Sequence, residues 1–271
     1  MLLRFDDDPS AYLARLSDHD EIETFGVLRI AQQLVSQTRT GAFLALHVDG
    51  DAIVGMAAWT PPWPLTIPRW PTTHVRELID AAREHAELGS VVTTEELADA
   101  IVPLHREPTR RLGLVFHVLT AVIPPSPGPG VRRFATEDDV PLLTDWIPRF
   151  LHEVKLPLHG DPIDTARYFV RSGRMHLWIE DERPVACTAH FDFGREGTHL
   201  GLVYTPPELR GRGRASRLVA AVSQHALDRG RRRLTLYTDE HNPTSNAIYA
   251  RLGYVERYRH VELGFERDVG G

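Results

Sequence analysis

The second half of the chain alternates between the two hydrophobic periods that separate strands from helices. Val131–Phe134 has strand length, and residues 137–155 then place Val140, Leu143, Ile147 and Leu151 at helical spacing, with Pro148 expected to break the helix midway. A second helix is expected over Pro162–Arg171. Met175–Ile179 and Val185–Phe193 read as a hairpin joined across Glu180-Asp181-Glu182-Arg183, and Thr198–Thr205 as a further strand. Residues 211–229 put Ala215, Leu218, Val219, Val222 and Ala226 on one helical face, with Gly230 as the stop. Leu234–Thr238 returns as a strand, Asn242–Leu252 as a short helix and Tyr254–Phe265 as the last strands. This mixture predicts an α/β (α+β) fold, a mixed central sheet flanked by helices.

Pro124-Pro125-Ser126-Pro127-Gly128-Pro129-Gly130 can continue neither a helix nor a central strand, so it reads as a stiff linker. It sets expected domains at 1–123 and 131–271, with 124–130 between them. Phe43–Ala58 echoes His176–Ala189: a strand, an acidic turn, then Val54-Gly55 or Val185-Ala186 opening the next strand. Two halves of similar size with one shared hairpin pattern suggest a tandem duplication.

Composition narrows the class. The 271 residues are 42% hydrophobic, enough for two cores, and a net charge of -6 argues against a general nucleic-acid binder. The lone cysteine, Cys187, excludes an internal disulfide, and its apolar neighbours make it a small buried residue. The start, Met-Leu-Leu-Arg-Phe-Asp-Asp-Asp, lacks a signal-peptide layout, and the apolar run around Leu112–Ile123 is too short for a bilayer. A cytoplasmic protein is expected, with no membrane or nucleic-acid partner.

Chemistry concentrates in two segments. In Val203-Tyr-Thr-Pro-Pro-Glu-Leu-Arg-Gly-Arg-Gly-Arg-Ala-Ser216 a strand ends, two prolines turn the chain away, and glycines open a helix. Such a turn aims backbone N–H groups and the positive helix end at one point, as a pyrophosphate requires. A P-loop would need a Gly-Lys-Ser/Thr that is absent, and a dinucleotide fingerprint would need a third glycine where Ser216 stands. In Thr238-Asp-Glu-His-Asn-Pro-Thr-Ser-Asn-Ala-Ile-Tyr-Ala-Arg-Leu-Gly-Tyr254, Asn242 suits an N-cap, Pro243 the first helical position and Gly253 the stop. Asn242, Ser245, Asn246 and Tyr249 share one face of that helix.

Together these segments resemble the signature regions of the GNAT superfamily of acyl-CoA-dependent N-acyltransferases. The Arg/Gln-x-x-Gly-x-Gly/Ala element stands as Arg210, Gly213 and Ala215, and the Asn-x-x-Ser-x-x-x-Tyr element as Asn242, Ser245 and Tyr249, followed by Leu-Gly-Tyr. The resemblance covers about half the chain. It implies two GNAT-like domains in tandem, the first degenerate, because residues 1–123 hold neither element. It further implies that the backbone of Val203, Tyr204 and Thr205 pairs with the pantetheine arm of coenzyme A. The N–H groups across Gly211, Arg212, Gly213, Arg214, Ala215 and Ser216 would then hold the pyrophosphate, with Asn242 beside the cofactor.

By the same resemblance acetyl-CoA is the expected donor, no metal is needed, and Tyr249 is the general acid for the departing thiolate. His199, eleven residues before Arg210, is the candidate base, with His190, Asp192, Asp239 and Glu240 as rivals. The acceptor is expected to be a primary amine of a small molecule or peptide, and the protein a monomer or homodimer. Arginines 210, 212, 214, 217, 229, 231, 232 and 233 form a patch suited to the cofactor's 3'-phosphate, the last four equally suited to a solvated face. Trp59, Trp63 and Trp70 in the first half suit packing better than a pocket. A non-catalytic acyl-CoA sensor and an aminoacyl-transfer enzyme on the same fold are the alternatives; an intact Tyr249 and an intact pyrophosphate loop argue against them.

Overall fold

The computed structural model describes residues 1–37 and 41–265, so the last six residues of the expected second domain lie outside the described residues. In chain order the elements are β1 (Leu2–Arg4), α1 (Pro9–Arg15), α2 (Phe25–Gln37), β2 (Phe43–Asp49), β3 (Ala52–Trp59), β4 (Leu65–Arg69), α3 (Val75–His85), β5 (Ser90–Thr93), α4 (Glu95–Ile101) and β6 (Arg110–Leu119). After residue 130 come β7 (Val131–Phe134), α5 (Val140–Glu153), α6 (Pro162–Arg171), β8 (Met175–Glu180), β9 (Arg183–Phe193), β10 (Gly197–Tyr204), α7 (Arg214–Asp228), β11 (Arg233–Asp239), α8 (Pro243–Arg251) and β12 (Val255–Gly264). They form two compact units: Met1–Val115 with the final strand from Tyr258, and Phe116–Arg257.

Both units run the same strand path. In the first, β1 to β4 are antiparallel neighbours and β4 pairs with β5 in parallel. In the second, β7 to β10 are antiparallel and β10 pairs with β11 in parallel. The repeat hinted at by one hairpin therefore extends over five strands. The next strand is exchanged in sequence. β12, the last strand, lies antiparallel to β5 in the first unit, while β6 finishes beside β11 in the second. The Pro/Gly stretch 124–130 consequently falls inside the second unit, where Pro129 accepts a hydrogen bond from the Trp178 indole at 3.1 Å. Composition marks where regular structure stops, whereas strand exchange is decided by long-range pairing that leaves no local mark.

Each sheet is covered on both faces. In the second unit, Leu218, Val219, Val222 and Ala226 of α7 pack on Val185, Leu200, Leu234 and Leu236. The opposite face of the same strands, with Leu177, Cys187, Ala189 and Tyr204, packs on Leu143, Ile147 and Ala166 of α5 and α6. The alternation of Ala186 and Cys187 between the two layers is the period of a strand. Burial pushes the Cys187 thiol well above its usual pKa, as suits an inert core residue. The break expected at Pro148 does not occur: α5 runs through it. The apolar stripe Val140, Leu143, Trp146 and Ile147 stays buried along its length and outweighs one lost backbone hydrogen bond. In the first unit Trp59 and Trp70 are core residues whose indoles donate to the Trp63 and His74 carbonyls, and Trp63 itself is exposed.

Candidate active site

The second unit's two parallel strands part. β10 and β11 are in register only over residues 197–199 and 233–235. A bulge follows, because the register between β10 and β9 shifts between Gly201 and Tyr204 and Leu202 adopts a φ of 54°. Pro206 and Pro207 then carry the chain out of the sheet. The gap opens into a cleft of about 670 Å³ lined by residues 200–205 of one strand and 236–239 of the other.

One end of the cleft is the start of α7. Gly211 and Gly213 have φ of 78° and 70°, values at which a side chain is strained, and Gly213 is the helix N-cap. No side chain caps this end, so the first N–H groups face the cleft's edge with the helix dipole behind them. The arginines around the loop divide into two sets. Arg210 donates to the Thr205 carbonyl at 2.8 Å and pairs with Glu153 at 2.6 Å, and Arg217 donates to the Arg212 carbonyl at 2.6 Å. Arg214 is buried against Glu180, at 2.5 Å, and also donates to the Leu209 carbonyl at 2.8 Å. Its hydrogen bonds hold the Glu180 carboxyl below its usual pKa. These guanidinium groups brace the loop. Arg212 and Arg251 are exposed, and their side chains have no partner among the described residues. The distal arginines 229, 231 and 232 pair with Asp192 and Glu196.

The second segment forms the facing wall. Asn242 caps α8, its side chain accepting from the Ser245 N–H at 3.0 Å, and both residues line the cleft. Tyr249 lines it too: its ring is buried, its hydroxyl has no partner among the described residues, and burial keeps the phenol protonated by raising its pKa. At the end of β10 the Tyr204 hydroxyl and Thr205 Oγ1 are buried without hydrogen-bond partners, an arrangement that asks for a polar ligand.

The structure thus gathers Val203, Tyr204, Thr205, Arg210, Gly211, Gly213, Arg214, Ala215, Ser216, Asn242, Ser245 and Tyr249 around one cleft. Arg212 and His199 are not in its lining. His199 bonds Thr235 through Nδ1 at 3.0 Å and packs against Tyr237, which does line the cleft, with ring centroids 6.0 Å apart. Of the rivals, His190 is buried against His176 at 2.8 Å, Asp192 is held by Thr198 and arginines, and Asp239 lines the cleft. Sequence reasoning missed Glu180, which it placed in the hairpin turn; the structure makes it the last residue of β8, buried against Arg214. It also missed His117, which lies within the apolar run around Leu112–Ile123.

The strand path that both units share is that of the GNAT-like fold expected from the sequence, and solved proteins of that fold cover most of the chain. Residues 140–254 match the model of the Acetyltransferase (GNAT) family. Over 82 residues the chain is 35% identical to YycN, an uncharacterized N-acetyltransferase of Bacillus subtilis strain 168; the match spans 30% of this chain and 46% of that relative. A solved Drosophila protein superposes with a TM-score of 0.67 at 15% identity, covering 97% of this chain and 98% of its own. A GCN5-related N-acetyltransferase of Sphaerobacter thermophilus gives 0.63 at 15% identity over 96% and 94%. A tandem GNAT protein from the clavulanic acid biosynthesis pathway gives 0.59 at 13% identity over 97% of each chain. At these identities the likeness is one of fold, and it extends over both halves.

Proposed function

We propose that the second unit binds an acyl-CoA, acetyl-CoA foremost, and transfers its acyl group to a primary amine by direct attack. The observation that carries this reading is the convergence on one cleft of parted parallel strands, an uncapped helix start with two left-handed glycines, and the unpartnered Tyr249 hydroxyl. The residues present fit the cofactor. The parted strand at Val203–Thr205 suits an amide-rich arm, the N–H groups of 211–216 suit a pyrophosphate, and Arg212 and Arg251 are available to a 3'-phosphate. A bound acyl-CoA would supply an activated thioester. Tyr249 holds a proton on its hydroxyl at neutral pH and gives it to the departing thiolate. His199 takes the acceptor's proton through water, since it bonds Thr235 and packs on Tyr237 without lining the cleft itself.

The first unit is the half without a cofactor loop. Its link from β4 to α3 carries Trp70-Pro71 and a short turn at Thr72–His74 in place of left-handed glycines. No helix among the described residues is long and apolar enough to cross a membrane, and the single cysteine suits the reducing cytoplasm we propose for it. The test is thiol release from acetyl-CoA against a panel of primary amines, with Tyr249→Phe alongside. We expect at least one amine to turn over, and Tyr249→Phe to lower kcat by about 10²- to 10⁴-fold with little change in KM for acetyl-CoA. Acetyl-CoA binding without turnover of any amine would instead favour a sensor.

A further inference from the structure

Hydrogen-bond direction can be followed from α8 back to β6. Asn246 Nδ2 faces the carbonyl oxygens of Asp239 at 3.2 Å and Glu240 at 3.4 Å, so that end of the amide is the donor. Its Oδ1 therefore accepts from the Thr238 hydroxyl, 2.5 Å away. With its hydrogen so committed, Thr238 Oγ1 can only accept from His117 Nε2, at 3.0 Å. His117 is thereby fixed as the Nε2–H tautomer. Its Nδ1 is a bare acceptor, buried without a partner among the described residues. Burial also lowers the pKa of the ring, which suits the neutral form this network requires.

Position 117 would be filled at less cost by an apolar residue, since a buried acceptor without a donor keeps its full desolvation penalty. What the histidine does is join three elements, β6, β11 and α8, at the turn that opens α8. Thr238 lines the cleft, and the His117 ring lies 6.5 Å from that of Tyr249, centroid to centroid. We propose that His117 is a positioning residue for Tyr249. Through Thr238 and Asn246 it fixes the turn between β11 and α8, and so the setting of the helix that presents the Tyr249 hydroxyl. The inference rests on the acyl-transfer reading above. It gives the exchanged strand a function: a residue that precedes the Pro/Gly stretch completes the site, and residues 131–271 alone would lack it.

The test uses the full chain with His117→Phe, His117→Gln and Thr238→Val. Acetyl-CoA affinity is measured by calorimetry, and turnover by thiol release with the fastest of spermidine, tyramine and lysine. Long-range proton–nitrogen spectra of histidine-labelled protein report the tautomer. We expect Nε2 protonated in the wild type, and His117→Phe and Thr238→Val to lose about 10- to 100-fold in kcat while KM for acetyl-CoA stays within about twofold. His117→Gln, which can still donate to Thr238, should restore most of the loss. Unchanged kcat in His117→Phe overturns the inference, as does a Gln variant no better than Phe or an Nδ1–H tautomer. These failures leave acetyl-CoA binding and turnover by the wild type intact, whereas absence of either in the wild type removes the underlying reading and the inference with it.

Discussion

Replacing Arg214 by methionine removes the most deeply buried cation at the cofactor loop and leaves its partner behind. The Arg214 and Glu180 side chains are each 8% exposed, and three guanidinium contacts are lost together: 2.8 and 2.5 Å to Glu180 Oε2 and 2.8 Å to the Leu209 carbonyl. Glu180 would keep only the Trp178 indole at 3.3 Å and Arg217 at 3.5 Å. Breaking a buried ion pair from one side costs about 3–5 kcal/mol, chiefly because the remaining charge is left without compensation. In a unit of this size that corresponds to a fall in Tm of about 6–20 °C. Replacing both residues by methionine should recover most of the loss, because the desolvation penalty of the pair disappears with its attraction. Urea unfolding of the wild type, both single variants and the double variant measures each quantity. A loss under about 1 kcal/mol in Arg214→Met, or a double variant no more stable than the singles, would refute the assignment of this pair as the brace of the loop.

Stability should also fall in mild acid. Burial lowers the pKa of His176 to about 2 and of His260 to about 4, below the value of about 6.5 expected unfolded. Depressed folded values mean that the stabilisation is complete above pH 6.5 and is lost as pH falls, since the unfolded chain takes up protons that the native one refuses. From pH 6.5 to 5 each histidine costs about 2 kcal/mol, and urea midpoints that do not drop between pH 7.5 and 5 would contradict this. Asn242→Ala should cost about 1 kcal/mol by removing the cap of α8, read in the same assay, with a null effect counting against the cap. Arg212→Ala should leave stability within about 0.5 kcal/mol yet weaken acetyl-CoA binding; unchanged affinity would exclude it from the 3'-phosphate.

The second half was legible because its signals are local. Gly213 and Gly230 mark the ends of α7 through backbone freedom, and Asn242 and Pro243 mark the start of α8. What the sequence withheld depends on contacts between distant residues. Nothing near Val115 announces that β6 crosses from one unit to the other, and nothing near Tyr258 announces that β12 belongs to the first. Arg214 and Arg212 are two residues apart in an arginine-rich loop, yet one is buried on Glu180 and the other is exposed. Only the helical phase that follows Gly213 decides between them. His199 is found by its spacing from Arg210, and that spacing carries no information about its contacts with Thr235 and Tyr237.

We propose that the second unit's cleft holds an acyl-CoA with its pyrophosphate at the start of α7. Calorimetric titration of acetyl-CoA into the full chain, beside Gly213→Glu, tests it most directly. The substitution places a carboxylate where the anion should lie and a side chain where φ is 70°, beside an Arg217 nitrogen 3.1 Å from the added Cβ. We expect micromolar binding by the wild type, and none by the variant even though circular dichroism shows it folded. No heat from the wild type, or equal affinity in the two proteins, would contradict it.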